Sequence, residues 1–262
     1  MKAHRIFAII LRYLFLFRHS FDRLSDSFYW PTIDLAVWGL TGSYLQQLQP
    51  NHLTPIVVMI VSGIVFWYIV WRAQYEITVN LLEDLWDRNL INAFVAPLQF
   101  SEWIVSFLLL GIIKAAISLF FTAFVAYVLY KVQIFMYGLY LIPFFALLLM
   151  TGWFVGLFVT GLILRYGTRI QTLAWAMVAV ISPFSAVYYP VSALPVWAQK
   201  IALFIPSTYV FEGMRQVING HNVDFQKMLI SLLLNIVYLS LAIIFVRRSF
   251  KKLLQTGFIN IT

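Results

Sequence analysis

Residues 103–130 read WIVSFLLLGIIKAAISLFFTAFVAYVLY, an apolar run interrupted by one charge, Lys114. About 20 apolar residues in a helix are enough to cross the ~30 Å hydrocarbon core of a bilayer. Outward from this run the chain keeps the same character: of its 262 residues 62% are hydrophobic and 11% charged, and the mean hydropathy is +0.87. An ordinary soluble domain carries roughly 25% charged residues, and so few charges cannot cover a water-facing surface. Lipid is therefore the solvent for most of the chain, and a soluble globular fold is excluded. The length holds roughly six spans with short connections. They are expected at residues 31–48, 55–71, 103–130, 134–164, 170–182 and 228–246, the fifth too short to cross alone. The expected fold class is all-α, a polytopic membrane protein of six transmembrane helices in one transmembrane domain over residues 1–262.

Residues 1–29 are apolar but broken too often for a span, by Arg5, Arg12, Arg18 and Arg23. Ile6, Ile9, Ile10, Tyr13, Leu14, Phe17 and Phe21 share one helical face, and Arg5, Arg12, His19 and Arg23 share another. That pattern predicts an interfacial amphipathic helix in the headgroup plane. The basic residues orient the spans. Lys2, Arg5, Arg12, Arg18, Arg23, Arg72, Arg88, Arg165, Arg169, Arg247, Arg248, Lys251 and Lys252 fall on one side, and only Lys131, Lys200, Arg215 and Lys227 on the other. By the positive-inside tendency both termini are expected in the cytoplasm, which agrees with an even number of spans.

Two connections are more than turns. Residues 72–102 hold Arg72, Glu76, Glu83, Asp84, Asp87, Arg88 and Glu102. Ile77, Leu81, Leu82 and Leu85 share a helical face there, Glu76, Glu83 and Asp87 another, and Asp84 precedes Arg88 by four in the order that supports a helix. Such a segment either grips a soluble partner or is a solvated, headgroup-bound loop. Residues 183–227 combine Pro183, Pro190, Pro195 and Pro206 with long apolar pieces. Proline-broken backbone at membrane depth survives only against protein or a water-filled cavity, so a re-entrant outer hairpin is expected between spans five and six. Its first helix would end at Pro206, and Ser207 or Thr208 would cap a second that carries Glu212 and Arg215 outward. Catalytic motifs are missing: there is no GxxxxGK[ST] phosphate loop, GxSxG elbow or HExxH pair, and no cysteine. All four histidines, His4, His19, His52 and His221, fall outside the expected spans. A non-catalytic chain is expected, with an intramembrane enzyme or a non-transporting assembly factor as alternatives of another class.

The run from Glu83 through FVAPLQFSEW (residues 94–103) resembles the cytoplasmic coupling-helix region of ABC type-2 exporter permeases. The run SPFSAVYYPVSALPVWAQKIALFIPSTYVFEGMR (residues 182–215) resembles their outer segment, and it is the more specific of the two. Tyr189-Pro190, Leu194-Pro195, Trp197, Gln199, Pro206, Thr208-Tyr209, Glu212-Gly213 and Arg215 keep order and spacing together. The likeness covers nearly the whole chain and is weakest over the first two spans. It implies a permease half of a prokaryotic inner-membrane exporter, working as a dimer of itself or with a paralogue. A separate ABC ATPase would bind the ATP and Mg, this chain holding no cofactor or metal, and would dock on Glu76, Glu83, Asp84, Asp87 and Arg88. Tyr189, Pro190, Pro195, Trp197, Pro206, Tyr209, Glu212 and Arg215 would belong to a hairpin capping the exit. Membrane lipid is the other expected partner, and nucleic acid is not expected. An amphipathic small molecule or lipid-like substrate fits the APLQFSE loop, and a polysaccharide or lipid-linked glycan is the alternative.

Three features stay open in the sequence. Gly152 and Gly156 form a GxxxG that lets another helix approach, within the subunit or across a dimer seam. Lys114 lies ~16 Å along its span at 1.5 Å per residue, where it is either a functional charge or a structural partner of Asp34. The 18% aromatic content serves either interfacial belts or ring stacking on sugars.

Overall fold

The computed structural model describes residues 2–48, 55–87 and 98–256, and every regular element among them is helical. The long and short α-helices are α1 (Ala3–His19), α2 (Phe21–Leu48), α3 (Ile56–Trp86), α4 (Phe100–Tyr130), α5 (Leu141–Tyr166), α6 (Leu173–Ile181), α7 (Val196–Ala202), α8 (Pro206–Ile218) and α9 (Phe225–Thr256). Four stretches among the described residues are long and apolar enough to cross a membrane: Ile56–Trp86, Phe100–Tyr130, Ile134–Ile170 and Phe225–Gln255. They mark an integral membrane protein. On the same criterion α2 is too polar and α6 too short.

Helix α3 is the axis of the structure. It packs between α4 and α5, α5 packs in turn on α9, and α2 lies across α3 and α4. Helix α1 rests on α4 and α2, while α6 touches α3 and α5. Ile10 and Tyr13 of α1 are buried and Ile6, Ile9 and Leu14 pack against the core, which agrees with the face read from the sequence. Phe21 does not join them and is 83% exposed.

Two expected boundaries move, each because polar groups find partners. The single interfacial segment over residues 1–29 is two helices, and α2 starts ten residues before the expected span at Pro31. Ser20 makes the break: its side chain accepts the Arg23 N–H at 3.4 Å and its carbonyl the Leu24 N–H at 3.2 Å, closing the first turn of α2. The expected end of span two at Trp71 is no end either, since α3 runs unbroken to Trp86. Gln74 Nε2 donates to the Ala174 carbonyl at 2.8 Å and to Thr78 Oγ1 at 2.7 Å, and Asn80 Nδ2 donates to the Glu76 carbonyl at 2.6 Å. With their polar atoms satisfied, these side chains stay buried in a helix that a hydropathy argument would stop.

Gly152 and Gly156 bring α5 against α3. A Cβ at position 152 would lie 2.6 Å from the Val70 carbonyl and from the Ala73 Cβ, and one at 156 would lie 3.1 Å from the Gln74 carbonyl. The glycines thus serve packing within one chain. In the 183–227 segment, Pro206 does not end a helix but opens α8 at its first turn, where a missing N–H costs nothing. Ser207 and Thr208 do not cap that helix. Ser207 Oγ donates to Ser185 Oγ at 3.1 Å and Thr208 Oγ1 to the Phe184 carbonyl at 3.1 Å, so both tie α8 to the turn after α6.

Candidate functional site

An open cavity of about 440 Å³ lies between α2, α3 and α6. Helix α2 contributes Asp26, Trp30 and Asp34, spaced by four residues so that they form one stripe. Helix α3 supplies Trp67, Tyr68, Trp71 and Tyr75, with Trp175 of α6 and Tyr188 completing the aromatic walls. The Tyr68 hydroxyl donates to Asp34 Oδ2 at 2.5 Å, and the Tyr75 hydroxyl donates to Asp26 Oδ2. The second oxygen of each carboxylate accepts no hydrogen bond among the described residues. Burial first, then the nearby Asp34 charge, raises the Tyr188 phenol to about 12, so it stays neutral at physiological pH. The negative charge of the cavity therefore belongs to the two aspartates.

Behind this wall sits a buried charge triad. Lys114 Nζ lies 2.7 Å from Glu76 Oε2, and Arg72 Nη1 lies 3.5 Å from Glu76 Oε1. Arg72 also donates to the Asp26 carbonyl at 3.0 Å, which joins α2 to the same cluster. The expected alternative for Lys114, a pair with Asp34, is corrected: Asp34 is held by Tyr68, and the partner of Lys114 is Glu76. Sequence reading missed this pair because it placed Glu76 in a loop. Glu76 lies ~30 Å along α3 from Ile56 at 1.5 Å per residue, a distance equal to a full hydrocarbon thickness.

The residues expected to dock a partner separate into buried and exposed sets. Glu76 is enclosed, and Asp84 is covered by α1, accepting the Tyr13 hydroxyl at 2.5 Å and Arg12 Nη2 at 3.2 Å. Glu83 is ion-paired with Arg23 of α2. Trp86 and Asp87 remain exposed at the end of α3, and Arg88 lies outside the described residues.

The 189–215 motif residues are brought together as a local scaffold. Arg215 Nη2 donates to the Ala186 carbonyl and, at 2.9 Å, to the Tyr189 carbonyl, while its Nη1 meets Glu212 Oε1 at 3.2 Å. Glu212 in turn accepts the Val191 N–H at 2.9 Å. Tyr189 and Tyr209 donate to the carbonyls of Pro183 and Leu203, both at 2.8 Å. Pro190 and Pro195 hold extended backbone ahead of the next helical turns, and Trp197 is exposed and in T-shaped contact with Phe184. Arg215 and Glu212 thus point into their own segment rather than outward.

Sequence reasoning did not single out Asp26, Tyr68, Tyr75 or Trp175. The usable signal was the spacing of Asp26, Trp30 and Asp34, which becomes one stripe only when the helix is continuous through Pro31. Comparison with protein-family models and with curated proteins finds no match for the chain.

Proposed function

We propose that this chain is the permease subunit of an ABC type-2 exporter, moving an amphipathic small molecule or lipid-like compound out of the cytoplasm or inner leaflet. The observation that carries this reading is helix α3. One unbroken helix joins the wall of an open, half-enclosed cavity at Trp67 to Tyr75 with an exposed end at Trp86 and Asp87. A separate ATPase docked on that end, and closing on ATP, would displace α3 as a rigid lever and open the cavity. A second copy or paralogue would supply the facing wall. The ATP and Mg belong to the ATPase. Glycan export is a second reading, favoured by the aromatic walls of the same cavity.

In this reading α2, α3, α4, α5, α9 and the whole helical stretch 167–184 around α6 make six crossings of a prokaryotic inner membrane, with both termini cytoplasmic and α7–α8 a re-entrant hairpin. Because the chain lacks cysteine, single replacements test the arrangement. Lys200→Cys and Asn219→Cys are expected to react with a membrane-impermeant thiol reagent in intact cells, and Asp87→Cys only after the membrane is opened. Reaction of positions 200 and 219 from opposite sides would refute the hairpin.

The ATPase reading is tested by purifying the tagged chain from its native membranes, where two permease and two ATPase subunits are expected together. Asp87→Lys, reconstituted in that complex, is expected to reduce transport per ATP hydrolysed by about tenfold, within the usual range of coupling between sites. Asp87 is the informative position because reversing Glu83 would also break its pair with Arg23. A chain that purifies without an ATPase contradicts the proposal.

A further inference from the structure

The chain carries 18 Lys and Arg against 10 Asp and Glu, yet the cavity between α2, α3 and α6 is lined by two carboxylates and no basic residue. Arg72, the nearest basic group behind it, is buried and committed to Glu76 and the Asp26 carbonyl. Three hydroxyl donors at the wall are also spent. The hydroxyls of Tyr68 and Tyr75 point to the aspartates, and Ser182 Oγ donates to the Ala179 carbonyl at 3.0 Å. Beside the neutral donors of its tryptophans and Tyr188, the cavity offers a ligand carboxylate oxygen and aromatic face, and both attract positive charge. An anion would meet two like charges. Asp26 and Asp34 stand eight residues apart on one helix, ~12 Å along the axis at 1.5 Å per residue. A cation with an apolar body of this dimension can face a carboxylate while its rings lie on tryptophan.

We propose that this cavity binds a hydrophobic organic cation, which is then the substrate class of the exporter. This second clause rests on the exporter reading above, whereas the binding itself does not. The probe is tetraphenylphosphonium, dialysed to equilibrium against the purified full chain in a non-ionic detergent with no ATPase present and with empty micelles as the blank. Tetraphenylborate has the same shape and the opposite charge.

Saturable binding of the phosphonium, and not of the borate, is expected. Asp34→Asn and Asp26→Asn are each expected to weaken it about tenfold, through the lost attraction between one carboxylate and the phosphonium charge. Asparagine still accepts the tyrosine hydroxyl, so helix packing is retained and the loss reads charge alone. Asp22→Asn, outside the cavity on the same helix, is expected to bind as the parent does. Equal binding of the borate, absence of saturable phosphonium binding, displacement by maltotriose, or binding untouched by both aspartate variants would each overturn the proposal. A chain that binds the cation but recruits no ATPase sinks the exporter reading alone. A complex that couples to an ATPase but ignores the cation sinks this one alone.

Discussion

Glu76→Leu is expected to destabilise the protein by about 3–5 kcal/mol, the usual cost of breaking a buried ion pair by removing one partner. Among the described residues Glu76 is the one carboxylate ion-paired with Lys114 and Arg72. Lys114 and Arg72 are 4% and 2% exposed as side chains; Lys114 hydrogen-bonds it and Arg72 is ion-paired with it. Removing it leaves two cations facing each other out of water. Asn80 also loses its bond to Oε2, at 3.1 Å. Lys114→Leu should cost less, because Glu76 keeps Arg72 and Asn80. The double replacement should recover part of the loss, since an apolar pair needs no compensation and only Arg72 then remains, still bonded to the Asp26 carbonyl. Thermal or denaturant unfolding in detergent of the four chains of this cycle measures the coupling, expected above about 1 kcal/mol for groups in direct contact. Additive single effects would show that the pair does not brace α3 against α4.

Arg215→Leu is expected to cost about 3 kcal/mol or more, from buried acceptors each worth ~1–3 kcal/mol when unpaired. The Ala186 and Tyr189 carbonyls would lose their donor, and Glu212 would keep only the Val191 N–H. Ala186 makes the site more demanding, because it is fully buried with φ +57°, a left-handed conformation that costs a residue with a Cβ roughly 1–2 kcal/mol. Arg215 holds the carbonyl of that strained residue in place. Arg215→Lys should fall between parent and leucine variant: an ammonium keeps the charge but cannot fork toward Glu212 and the carbonyls at once. Limited proteolysis should show the loss first at residues 183–194. Unfolding temperatures equal to the parent's for both variants would remove Arg215 from its structural role.

Some of this was legible from residues alone. The run 103–130 and the scarcity of charge make water impossible as solvent, and the helical structure then follows from the need to bond backbone groups in lipid. The amphipathic face of residues 6–14 was legible because period 3.6 is a local property. The two short helices around Pro206 were legible in outline, since proline restricts its own neighbourhood whatever surrounds it.

The partners of polar side chains were not legible, because they come from distant positions. Arg72 and Glu76 read as the start of a charged connection until α4 places Lys114 beside them, 38 residues from Glu76. Asp84 read as a docking group until α1 folds Tyr13 and Arg12 over it. Ser207 and Thr208 read as caps, yet their hydroxyls reach the turn at 182–185 instead. Asp26, Trp30 and Asp34 had no common meaning while Pro31 seemed to begin a helix. A residue's hydropathy is set by its own atoms, whereas the cost of burying its charge or hydroxyl depends on whether another element brings a partner within about 3 Å. Only the tertiary structure decides that.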